Sequence, residues 1–141
     1  MRLRLLFFSL MLVSCQEKQP TVLIIEQNSI SEWRLFTLAL IGVESEFDST
    51  AVNKVTGARG ILQIMPIFVR EVNRLQDSVV YEWDDAFSVE KSIEMLNIMN
   101  PNKDVERAIV KHNSRGGKWY RKRVLDKMEE YRKIFEMEER L

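Results

Sequence analysis

Val43-Glu44-Ser45-Glu46-Phe47-Asp48, followed after a short polar gap by Gly57-Ala58-Arg59-Gly60-Ile61-Leu62-Gln63-Ile64-Met65-Pro66, is the stretch on which the reading of this chain turns. Ahead of it, Trp33, Thr37, Leu40, Ile41 and Glu44 recur at three- and four-residue steps and so share one face of a helix. Glu44 closes a stripe that is otherwise mostly apolar. It also falls in the last turn, where unpaired carbonyls present partial negative charge. An apolar wall and a helix C-terminus both oppose ionisation of a carboxyl group. An acid held in that way is suited to protonating a glycosidic oxygen.

Outward from that stretch the chain reads as helices. Ser29-Ile30-Ser31-Glu32 has the form of a capping box, with Ser29 as N-cap of a helix that runs to about Ser45. Asp48 to Gly60 is a loop by composition, with at most a minor strand element. Met65-Pro66 opens a second helix with Phe68, Val69, Val72 and Leu75 as apolar positions, since proline suits the first turn. Gln76 to Asp85 is a connection holding Tyr81 and Trp83. Ser88 caps a third helix bearing Val89, Ile93, Leu96 and Met99, and Asn100-Pro101 stops it. Asn102 caps a fourth with Val105, Ala108, Ile109 and His112 on one face. After Gly116-Gly117, Lys118 to about Glu139 forms a long charged helix with Tyr120, Val124, Met128, Tyr131 and Phe135 inward. The expectation is a mainly α single domain over residues 29–141.

Glu44, Ser45, Phe47, Asp48, Gly57, Ala58, Gly60, Ile61, Leu62, Gln63, Ile64, Met65 and Pro66 together resemble the lysozyme-like domain of the bacterial lytic transglycosylases of the soluble-lytic-transglycosylase (SLT) family. The similarity runs from about Ser29 to about Val124. The resemblance implies a lysozyme-like fold and cleavage of peptidoglycan glycan strands between N-acetylmuramic acid and N-acetylglucosamine. It implies an anhydromuramoyl product and no cofactor. It assigns Glu44 as the single catalytic acid and base, and it points to Ser45, Gln63, His112 and Asn113 as supporting or substrate-binding residues. Lys111-His112-Asn113-Ser114-Arg115-Gly116-Gly117 departs from the family pattern of Ala-Tyr-Asn-Ala-Gly. Asn113 matches, His112 stands where tyrosine is usual, and the glycine comes one residue late.

Each of these residues also has a plain structural reading. Ser45 can bond adjoining backbone at a helix end. Gln63 can satisfy loop carbonyls with its amide. His112 can be a core histidine on an apolar face, and a charged imidazole there would work against an acid at Glu44. Ordinary glycosidases use two carboxylates. Asp77, Asp84 and Asp85 lie in connections that could approach a cleft, so a muramidase-type hydrolase is one alternative. A non-catalytic glycan-binding or assembly lipoprotein is another.

The N-terminus reads as a targeting segment. Arg2 and Arg4 precede an apolar run, Leu5 to Val13, that is too short to span a bilayer. Leu12-Val13-Ser14-Cys15 resembles a lipobox, so residues 1–15 are expected to be a lipoprotein signal, with Cys15 lipidated, and residues 16–28 a tether. Acyl chains on Cys15 would hold the domain on a membrane of the bacterial envelope, at about 0.8 kcal/mol per buried methylene. Small exported members of such a family often serve a secretion or conjugation apparatus, or a phage.

The chain of 141 residues carries 21 basic and 21 acidic side chains, a balance unlike that of a nucleic-acid binder. Lys111, Arg115, Lys118, Arg121, Lys122 and Arg123 form a local basic run. It reads either as a solvated helix face or as an attractor for anionic wall polymer or lipid. One histidine and one cysteine cannot supply a zinc shell. Gly57 and Gly60 lack the Lys-Ser/Thr of a nucleotide loop.

Overall fold

A helix buried almost all round organises the molecule. The computed structural model describes residues 30–113, 115–138 and 140. Its first helix, α1 (Glu32–Glu44), buries Leu35, Phe36, Thr37, Ala39, Leu40, Ile41, Gly42 and Val43. This is more than the single stripe that periodicity predicts. The reason is that α1 is packed from several sides, as apolar sequence on every face requires. Its N-cap is Ser31, not Ser29: the Ser31 hydroxyl accepts from the Arg34 backbone N–H at 3.3 Å. Starting two residues later leaves Glu32 in the first turn, where a carboxylate faces the positive helix end.

Helix α2 (Pro66–Leu75) begins at the expected proline and buries Val69 and Val72. A 3₁₀ segment, Trp83–Phe87, occupies the connection that follows. Helix α3 (Val89–Met99) is capped by Ser88, whose hydroxyl accepts from Lys91 N–H at 3.3 Å. It turns Met95 and Leu96 inward and leaves Val89 exposed. Helix α4 (Val105–His112) is capped by Asp104 and not by Asn102; Asp104 accepts from Arg107 N–H at 3.0 Å, and a carboxylate there also meets the helix dipole. Helix α5 (Gly117–Glu138) presents Tyr120, Val124 and Met128 to the core, with Tyr131 and Phe135 partly buried against it.

Helix α5 packs along α1. The Tyr131 ring meets Phe47 edge-on at 6.3 Å, and Arg132 reaches Glu32 at 2.6 Å. Phe36, Leu40, Val72, Leu96, Ile109 and Val124, from all five helices, are essentially inaccessible and form one core. Among the described residues, extended pairing is limited to isolated bridges, Val52 with Arg59 and Arg59 with Ile64. The signal, Cys15 and the tether lie outside the described residues.

Candidate active site

The end of α1 is built to stop at one carboxylate. Ser45 caps it: its N–H and its hydroxyl donate to the Ile41 carbonyl at 3.1 and 3.3 Å. The hydroxyl also donates to the Ile61 carbonyl at 2.8 Å, tying the helix end to the far side of the loop. Ser45 therefore serves backbone, and its recorded hydrogen bonds do not include the Glu44 carboxyl. Glu46 and Phe47 then adopt left-handed φ angles of 53° and 68°, which cost a non-glycine residue about 1 kcal/mol or more each. That turn carries the chain away from the helix axis.

The loop that follows is held by its own short polar side chains. Asp48 accepts from the Thr50 N–H and hydroxyl at 2.8 and 2.7 Å, and Asn53 accepts from the N–H groups of Val55 and Thr56 at 2.9 and 3.0 Å. Gly60 has φ +71°, and a Cβ on it would sit 1.7 Å from the Ala86 carbonyl oxygen. The 3₁₀ segment is pressed onto the loop at that point, with Arg59 stacked 3.6 Å above the Trp83 ring and ion-paired to Asp84. Gln63 donates to the carbonyls of Gly60 and Ala51 at 3.0 and 3.3 Å.

These elements enclose a cleft of about 640 Å³. Asn53, Thr56 and Gln63 line it from the loop. Met65, Phe68 and Glu71 line it from the start of α2 onward, and Lys111, His112, Asn113 and Arg115 from the end of α4 and beyond. Glu44 lies in the same cleft with its side chain 16 % exposed. Of the residues singled out from sequence, Gln63, His112 and Asn113 thus share the cleft with Glu44, and Ser45 does not line it. Asp77, Asp84 and Asp85 do not line it; Asp85 is bound to Lys91 at 2.6 Å and to the Glu82 N–H at 2.9 Å. Asn113 is the C-cap of α4, and its side-chain oxygen accepts from Gly116 N–H at 2.8 Å.

Two polar side chains approach one oxygen of Glu44. The Tyr120 hydroxyl donates to Oε1. His112 Nε2 is 3.5 Å from the same oxygen. Burial, reinforced by the Glu44 charge and by the hydrogen bond to it, pushes the Tyr120 phenol far above its ordinary range, so it stays a donor. Burial lowers the His112 pKa, while the Glu44 charge and the nearby Leu62 backbone pull the other way. The net result is a neutral ring near neutrality, packed edge-on to Phe68 at 6.0 Å. His112 Nδ1 is buried without a hydrogen bond of normal geometry. The Leu62 backbone lies close enough to favour the protonated ring without meeting that geometry.

Tyr120 as the partner of Glu44 and Glu71 as a cleft residue were not legible. Periodicity turns Tyr120 inward on α5 but does not say what its hydroxyl meets. A buried phenol needs an acceptor, and that need was the available signal. Glu71 is a plain surface acid in sequence; Arg74 binds both its oxygens, at 2.8 and 2.6 Å, and keeps its pKa low.

Neither the curated proteins nor the solved structures yield a match to this chain. The family model for the transglycosylase SLT domain matches residues 24–130, a span longer at both ends than the sequence motifs suggest. A mainly helical domain with a largely shielded carboxylate in a cleft agrees with that match. The chain belongs to the transglycosylase SLT domain family, whose general activity is peptidoglycan lytic transglycosylation and whose substrate lies in the cell envelope.

Proposed function

We propose that this protein cleaves the bond between N-acetylmuramic acid and N-acetylglucosamine, with Glu44 as acid and then base. The observation that carries the reading is the Tyr120 hydroxyl donating to Oε1 of Glu44 in the cleft, with His112 Nε2 3.5 Å from the same oxygen. Engagement of Oε1 by Tyr120 leaves Oε2 to carry the transferable proton. Glu44 gives that proton to the glycosidic oxygen, and the bond from that oxygen to muramic C1 breaks, releasing the N-acetylglucosamine hydroxyl. Positive charge develops at C1, and negative charge develops on the carboxylate, where the Tyr120 hydroxyl and a neutral His112 N–H stabilise it. The muramic C6 hydroxyl, or first the sugar's own acetamido oxygen, then attacks C1. Glu44 takes the C6 proton, and the ring closes as an anhydro end with no water consumed.

A hydrolase would need a second carboxylate to activate water. Among the described residues Glu71 is the other carboxylate that lines the cleft, and both its oxygens are engaged by Arg74. The test is mass analysis of products from purified sacculi. Anhydro ends are expected from the unaltered protein, and Glu44→Gln should abolish them, a loss of at least about a thousandfold for removal of the acid. Glu71→Gln should retain activity. Reducing-end products that vanish with Glu71→Gln would favour the hydrolase, and an unaltered protein as inert as Glu44→Gln would favour a glycan-binding role. We further propose that lipid on Cys15 anchors the protein to an envelope membrane, which metabolic labelling with a fatty acid and a Cys15→Ser variant would test.

A further inference from the structure

The basic run near the end of α4 divides in the folded chain. Arg121 pairs with Glu106 at 2.5 Å and Lys122 with Asp126 at 2.5 Å, on the outer side of α5. Lys111 and Arg115 instead line the cleft, and neither has an acidic side chain within ion-pair distance among the described residues. Lys111 Nζ donates to the Met99 carbonyl at 2.7 Å, which uses one of its three hydrogens. Glu71 feels the Lys111 charge, but its oxygens are satisfied by Arg74. The α4 end of the cleft therefore has spare positive charge. The loop wall, with Asn53, Thr56 and Gln63, is polar and uncharged, which suits hydroxyl and acetamido groups.

Lys111 precedes His112 in sequence, and His112 lies 3.5 Å from Glu44. A muramic ring whose C1 is at Glu44 carries its lactyl arm on C3 of the same ring, and Lys111 and Arg115 line the cleft that would hold that ring. We propose, resting on the assignment of Glu44 above, that Lys111 and Arg115 recognise a carboxylate on that arm or on peptide extended from it. This patch selects acidic wall strands over capped ones.

The test is binding of full-length protein carrying Glu44→Gln to insoluble sacculi, with and without the added pair Lys111→Gln and Arg115→Gln. Three walls are compared: native, stripped of peptide by an amidase so that the lactyl carboxylate is bare, and carboxyl-capped as methyl amides. The pair of substitutions is expected to weaken binding to native wall about five- to tenfold, as for two partly exposed charge contacts. The penalty should shrink on capped wall. If it persists on stripped wall, the two cations accept the lactyl carboxylate that the amidase frees; if it disappears there, they read peptide carboxylates alone. Equal affinity with and without the two cations, or a loss of the same size on capped wall, would overturn the proposal. Charge reversal to Glu at both sites should enlarge the loss on native wall, and failure to do so would also overturn it. Because binding is the readout, failure of Glu44 as the acid would show separately, as residual cleavage by Glu44→Gln.

Discussion

Tyr120→Phe isolates a single atom. The phenol oxygen is removed, while the ring keeps its place, 4 % exposed, beside Gly116. What is lost is one hydrogen bond to Oε1 of a carboxyl group that is itself only 16 % exposed. A hydrogen bond to a charged group contributes about 1.5–3 kcal/mol, and shielding from solvent keeps this one in that range. In the proposed mechanism the carboxylate gains charge as the proton leaves, so the bond strengthens toward the transition state and its loss falls on kcat more than on KM. At about 1.4 kcal/mol per factor of ten, kcat should fall by roughly 10- to 100-fold. The assay is the rate of anhydromuropeptide release from sacculi across a range of substrate concentrations. Urea unfolding of the variant separates a catalytic loss from a folding one. A kcat within about twofold of the unaltered protein, with the fold intact, would refute the role given to this hydroxyl, since twofold is about 0.4 kcal/mol.

His112 is the only histidine in the chain, and the ordinary imidazole value of about 6.5 sets where the unfolded chain begins to take up its proton. Its folded pKa lies below its ordinary 6.5, so the unfolded chain takes up the proton first. Stability should therefore be complete above about pH 6.5 and decline as pH falls toward the folded value; urea midpoints at several pH values would show this slope, and His112→Tyr should flatten it. Gly60→Ala should cost about 2–4 kcal/mol, because it forces a left-handed φ on alanine and drives a Cβ into the Ala86 carbonyl, a backbone atom that cannot step aside. A denaturation curve shifted by less than about 0.5 kcal/mol would show that the loop and the 3₁₀ segment can separate freely.

What sequence revealed and what it hid follow a physical divide. Pro66 at a helix start and Ser88 as a cap were legible because each acts on backbone within three or four residues. Glu44 was legible because a short apolar stripe and a glycine-bounded loop flank it. The caps of α1 and α4 were placed two residues early. Ser29 and Ser31, or Asn102 and Asp104, are chemically interchangeable as acceptors, and packing of the helix beyond them decides which one serves. Trp83–Phe87 was read as connection, since a 3₁₀ turn is too short to show a period. Tyr120 was hidden because its partner is 76 positions away, and no local pattern encodes a contact of that range.

That separation has a consequence for when the protein can act. The bond from Tyr120 to Glu44 forms only when α5 lies along α1, so a chain still threaded in extended form lacks that donor at the carboxyl group. On the proposed mechanism, full cutting power then awaits the docking of α5, and a molecule clipped ahead of Tyr120 would be blunted.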